Sequence, residues 1–183
     1  LLSTGRASYE GLIQLMPRKG GVRDCCVARE GTVWSSVDFS AVELSTLAQV
    51  CLWTVGQSEL ASAINDKLDP HCILGSDLIN MDYHEFFSRK SEKGIKDIRQ
   101  AGKAGNFGFP GLMGEPRFVE AKRREGFSVC EWFFADGQCG AELTAGWKGR
   151  ALDYPMCTRC LDQAKTLRQA YLRRWREMPL YWQ

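Results

Sequence analysis

The chain has 183 residues, 44% of them hydrophobic and 25% charged, with a net charge of +2. This is ordinary globular composition at one-domain length. Bulk charge therefore excludes an argument for nucleic-acid binding from net charge alone, which must rest on local patches such as Arg123-Arg124 and Arg173-Arg174.

No apolar run is long enough to span a membrane, and no segment reads as a signal peptide. The chain opens on Leu1 without Met and stops just after a helical pattern, so it reads as a segment of a longer protein. Its eight cysteines are Cys25, Cys26, Cys51, Cys72, Cys130, Cys139, Cys157 and Cys160. Free thiols, apolar packing and metal binding are expected of them rather than disulfides.

Residues 1–32 are rich in turn formers. "TVWSSVDFS" then predicts a buried strand, Val33 to Val37, ending at Asp38. Ser40 and Glu43 form a capping-box signature ahead of a helical stripe of Val42, Leu44, Leu47, Val50 and Cys51. Further helices are expected over Glu59–Lys67, stopped by Asp69-Pro70, and over Leu74–Phe87, Lys96–Phe107 and Glu115–Arg124. Pro110 and Gly111 end or kink the fourth of these five. Residues 126–160 are rich in Gly, Cys and aromatics, with strand-like runs such as "FSVCEWFF". From Leu161 a helical face returns through Ala164, Leu167, Tyr171, Leu172 and Trp175, ended by Pro179.

Three constellations carry chemistry. Asp38, at a strand end, suits either a Mg²⁺ ligand or a turn-forming residue before Ser40. Glu43 suits either the capping box or a carboxylate facing a substrate pocket. Arg99, Lys103 and Phe107 lie at i, i+4 and i+8, along one helix face about 12 Å long. They suit a triphosphate with its sugar and base, or a solvated face beside one core Phe. The Walker pattern fails here, because Asp97 and Ala104 stand where Gly and Ser or Thr are needed. Three glycines interrupt this same helix; they leave room for close packing or let the helix bend.

The third constellation is cysteine-rich. Cys157-Thr-Arg-Cys160 is a C-x₂-C pair, preceded by Cys130 and Cys139 at C-x₈-C spacing. Four thiolates make a tetrahedral Zn²⁺ site, the reading favoured here. The alternative is that Cys130 packs in a strand and only some of the four bind.

In order along the chain, these pieces resemble the family A DNA polymerases, the DNA polymerase I family, and most closely its bacteriophage members. Asp38-Phe-Ser-Ala-Val-Glu-Leu44 is similar to the family's D-Y-S-Q-I-E-L palm motif. Arg99, Lys103 and Phe107 within "RQAGKAGNFGFPG" match the fingers helix, and Asp69-Pro70-His71 matches its D-x-H. "TGRASYEGLIQLMPRKGGVRDCCVAREG" resembles the segment leading into the palm strand, and "AYLRRWREMP" the helix after the fingers. Residues 126–160 have no counterpart.

The resemblance implies an α/β (α+β) fold, a partial polymerase palm with mostly helical fingers and a small Cys-rich zinc-ribbon-like insert. Residues 1–55 would be palm, 56–125 fingers, 126–160 the insert and 161–183 the following helix. It implies template-directed nucleotidyl transfer from a dNTP to a primer 3′-OH, in phage replication within the cytoplasm of an infected bacterial cell. Asp38 would ligate two Mg²⁺ ions, with the Phe39 carbonyl assisting, and Glu43 would be the steric gate against a ribose 2′-OH. His71, Arg99 and Lys103 would hold the triphosphate, Lys103 also protonating the leaving pyrophosphate, and Phe107 would pack on the incoming sugar and base. Arg6 and Gln14 would contact primer–template DNA, and Gly111 stands where the family's Tyr meets the template base. That Gly, and Ala41 in place of the palm motif's Gln, are the two departures. The family's later H-D-E motif does not occur, so this segment is expected to need the remainder of a polymerase chain for activity. Two readings compete with it: a non-catalytic zinc-containing nucleic-acid-binding module, and a degenerate polymerase kept for structure.

Overall fold

The computed structural model describes residues 21–35, 37, 39, 41–134 and 136–183. The chain forms two compact units, Leu1–Ser40 and Ala41–Gln183. In the first, Val22–Cys25 is a 3-10 turn. The buried strand expected over Val33–Val37 is not found: the described residues there are not in a strand, and Val33, Trp34 and Val37 are exposed. A strand without a neighbour leaves its backbone groups unpaired and its side chains uncovered, and the described residues supply it no partner strand. The described fold is thus α+β, helices with one small sheet, and no palm sheet is seen among the described residues.

The second unit runs α1 (Val42–Val55), α2 (Glu59–Asn65), α3 (Pro70–Ile79), α4 (Tyr83–Ser88), α5 (Lys93–Gly108), α6 (Glu115–Arg124), β1 (Leu143–Trp147), β2 (Arg150–Cys157), α7 (Thr158–Arg174) and α8 (Met178–Tyr181). Side-chain caps set three of the helix starts. Ser58 Oγ accepts from Ala61 N at 3.0 Å at α2. Asp69 Oδ1 accepts from His71 N at 2.9 Å at α3, with Pro70 at its first position, where a missing N–H costs nothing. Asp82 Oδ1 accepts from His84 N at 2.8 Å at α4. The helix expected over 74–87 is two helices, because Asn80 turns left-handed (φ 51°) and Asp82 caps a fresh start. At α1 the cap position is Ala41, at φ 50° and without a side-chain bond; Ser40 of the expected capping box lies outside the described residues.

"FSVCEWFF" is not a strand but a 3-10 turn over Val129–Trp132. The sheet comes later, β1 pairing antiparallel with β2. Lys148 and Gly149, at φ 50° and 76°, make the two-residue turn whose twist suits a hairpin. The sheet leads directly into α7, whose Leu161, Ala164, Leu167, Ala170 and Tyr171 are buried in the main core. Phe109 stacks on Phe118 at 4.9 Å between ring centroids and tilts against Tyr171 at 5.5 Å. Each such pair adds about 0.5–1.5 kcal/mol to area burial. Glu177, 1% exposed, accepts from Ser58 Oγ at 2.8 Å and Leu60 N at 3.0 Å, tying the chain's last segment to the start of α2.

Gly102, Gly105 and Gly108 of α5 serve close packing. A Cβ on Gly102 would lie 2.6 Å from the His71 carbonyl oxygen and 3.1 Å from Gly75 N, so α3 and α5 meet backbone to backbone. Gly105 faces the side chains of Leu167 and Leu74, and Gly108 faces Phe118.

Candidate nucleotide-binding face and metal centre

The close α3–α5 contact sets one face. Arg99, Lys103 and Phe107 follow one another along α5, and His71 stands in the first turn of α3 beside them. The His71 and Phe107 rings lie 5.4 Å apart at 54°, and Lys103 Nζ sits 6.0 Å from the Phe107 centroid. Lys103 is exposed and Phe107 is 44% exposed, so both offer surface to a ligand. Arg99 is held: its Nε and Nη2 donate to Asp69 Oδ2 at 3.1 and 2.6 Å. Asp69 thus caps α3 with one oxygen and anchors α5 with the other.

Charge on this face follows from that geometry. Burial pushes the Asp69 carboxyl up, but the Arg99 guanidinium and the His71 N–H outweigh it and hold the group below the usual carboxylate range. His71 is pushed down to about 4, first by burial and then by the Arg99 and Lys103 charges, against the pull of Asp69. It is therefore neutral at pH 7. At its Nδ1 stands Asn106 Nδ2, 3.1 Å away, and Asn106 Oδ1 accepts from Trp175 Nε1 at 2.9 Å.

Of the other residues singled out in the sequence, Glu43 lies exposed on the first turn of α1, with no hydrogen bond or ion pair to His71, Arg99 or Lys103 among the described residues. Gly111 is exposed and closes the 3-10 turn Phe109–Gly111 that ends α5. Phe39 belongs to the first unit and is 79% exposed. Arg6, Gln14 and Asp38 lie outside the described residues. Sequence reasoning missed Asp69 as the partner of Arg99, reading Asp69-Pro70 as a helix stop. The same dipeptide is a helix start, Asp at the cap and Pro at the first position, and could have been found that way. Asn106 and Trp175 gave no signal, being an amide in a helix and one aromatic in an apolar stripe.

The cysteine constellation is brought together fully. Cys130 comes from the turn after α6, Cys139 from the loop before β1, Cys157 from the end of β2 and Cys160 from the first turn of α7. Their sulfurs all lie within 4.8 Å of one another, with Cys160 Sγ 3.4 Å from Cys130 Sγ and 3.6 Å from Cys139 Sγ. Four thiolates at about 2.3 Å from one tetrahedral ion stand roughly 3.8 Å apart, so the spacing suits a single ion. None is in a disulfide, and three of the four are buried. Burial pushes the Cys160 thiol up to about 12 and Cys130 up as well. Cys157 is also raised by burial, but backbone N–H groups of Gly140 and Cys160 outweigh this and bring it down. A dication supplies the charge that lets buried thiols ionise together. The four cysteines can hold a metal ion such as zinc.

Among the described residues no helix is long and apolar enough to cross a membrane. Compared with known proteins, the chain matches no family profile, no curated protein and no solved structure.

Proposed function

We propose that this chain is the palm–fingers segment of a bacteriophage-type family A DNA polymerase, binding a dNTP for template-directed transfer to a primer 3′-OH. The observation that carries the reading is the shared face of His71, Arg99, Lys103 and Phe107. The sequence resemblance picked these four out, and two separate helices bring them together. In this reading Lys103 and Arg99 bind the triphosphate, and Arg99 exchanges the Asp69 carboxylate for a phosphate oxygen. Lys103 delivers a proton to the leaving pyrophosphate, and Phe107 packs on the sugar and base. Glu43 guards the ribose 2′ position. Asp38 and the Phe39 carbonyl would hold two Mg²⁺ ions, which would supply charge stabilisation for the nucleotidyl transfer. Primer–template DNA meets Arg6, Gln14 and the Gly111 turn.

The cysteine cluster is a structural Zn²⁺ site in this proposal. It joins the hairpin to α7, which packs under α5. The same cluster favours the competing reading, a zinc-containing nucleic-acid-binding module without catalysis, which gives the α3–α5 face no task.

Titration of the chain with Mg·dNTP, followed by intrinsic fluorescence, separates the two. Loss of one charge-assisted phosphate contact, about 1.5–3 kcal/mol, predicts that Lys103→Ala weakens binding roughly 10- to 100-fold. Equal affinity of wild type and Lys103→Ala, or no affinity in wild type, overturns the polymerase reading.

A further inference from the structure

The buried polar chain behind this face fixes more than position. Trp175 Nε1 is a donor and nothing else. It is bonded at 2.9 Å to Asn106 Oδ1, and both residues are 1% exposed. The Asn106 amide oxygen must therefore face Trp175, and its NH₂ must face the other way. There it meets two groups, the Pro70 carbonyl oxygen at 3.0 Å and His71 Nδ1 at 3.1 Å. Turning the amide over would set oxygen against the Pro70 oxygen and NH₂ against the indole N–H. The orientation of Asn106 follows from its partners, and so does the state of the imidazole. A nitrogen that faces an N–H donor must offer a lone pair, so His71 Nδ1 carries no proton.

The single imidazole proton then resides on Nε2. Among the described residues that nitrogen has no hydrogen-bond partner, and it is not one of the fully buried unpaired atoms, so it keeps some contact with solvent although His71 is only 9% exposed. The charged and titratable groups around His71 are Asp69 and Cys72 from its own helix and cap, and Arg99 and Lys103 from α5. Asp69 favours a charged ring; the two cations and burial oppose it. Charging the ring would also place a second proton on Nδ1 against the Asn106 NH₂.

We propose that Asn106 and Trp175 are positioning residues that lock His71 as a neutral Nε2–H donor, offered to an oxygen of the bound nucleotide. The role rests on the nucleotide-binding reading above; the lock itself is a property of the free chain. It gives the face one uncharged donor beside two fixed cations, so the attraction for phosphate does not change with His71 protonation across neutral pH.

The test is the ¹⁵N–¹H imidazole spectrum of the full chain without nucleotide. A His84→Gln background leaves His71 as the single histidine. Expected at pH 7 is an unprotonated Nδ1 and a protonated Nε2; a protonated Nδ1 in this protein overturns the proposal outright. In Asn106→Asp the carboxylate accepts from both Trp175 and His71. The proton should then move to Nδ1, and the titration midpoint should rise by about one unit or more. Should that variant not fold, Trp175→Phe removes the donor that orients the amide, and a mixture of the two tautomers is expected. A folded variant of either kind that keeps pure Nε2–H and the wild-type midpoint removes Asn106 and Trp175 from the role, whereas the wild-type spectrum needs no variant at all. Absence of Mg·dNTP binding with the expected spectrum intact sinks the nucleotide reading and leaves the lock standing.

Discussion

Gly102→Ala is the sharpest test of how α3 and α5 meet. The new Cβ would sit 2.6 Å from the His71 carbonyl oxygen and 3.1 Å from Gly75 N, both backbone atoms that cannot rotate away. A comfortable carbon–oxygen approach is about 3.3 Å, so the helices must part by roughly 0.7 Å. Overpacking of this kind costs about 1–3 kcal/mol. Against it stands the gain of Ala over Gly in a helix, about 1 kcal/mol. Gly94→Ala is the control. It lies on the same helix, its Cβ would meet nothing within 4 Å, and only the propensity gain applies. Urea denaturation of the full chain should place the Gly102→Ala midpoint below wild type and the Gly94→Ala midpoint at or above it. The gap between the variants is the clash, about 1–3 kcal/mol. If Gly102→Ala is as stable as Gly94→Ala, the backbone-to-backbone contact does not exist.

Two further outcomes follow from the site. His71, with its folded value near 4 against an unperturbed value of about 6.5, makes stability complete above about pH 6.5 and falling as the pH drops toward 4. The loss comes to about 3 kcal/mol. In His71→Gln this part of the slope should vanish, and a wild-type stability flat between pH 6.5 and 4 refutes the neutral buried ring. The chain should also bind one equivalent of Zn²⁺, and chelation should lower its melting temperature. Zinc content measured on purified wild type and Cys157→Ser checks this, and absence of zinc from both removes the metal centre.

How much of this was legible in the sequence depended on whether the signal was local. The C-x₂-C pair advertises itself, and the looser Cys130–Cys139 half joined it because both flank the hairpin that returns to α7. Arg99, Lys103 and Phe107 share a face as soon as a helix is assumed, so that stripe was readable. The helix itself begins at Lys93, earlier than the apolar pattern suggested. The break at Asn80 was hidden, since Leu74–Phe87 keeps helical periodicity while one left-handed residue interrupts it. Val33–Val37 has the composition of a strand, yet composition supplies no partner to pair with. The amide–indole chain behind His71 spans 69 positions between Asn106 and Trp175, and no spacing rule reaches that far.

The glycine contact between α3 and α5 also has a mechanical meaning. At Gly102 no side chain separates the backbones of the two helices, and the Asp69–Arg99 and Asn106–His71 links lie one on either side of it along α5, so parting the helices there means breaking those links. Whatever swings α5 carries α3 with it, so His71 travels with the cations instead of being approached by them.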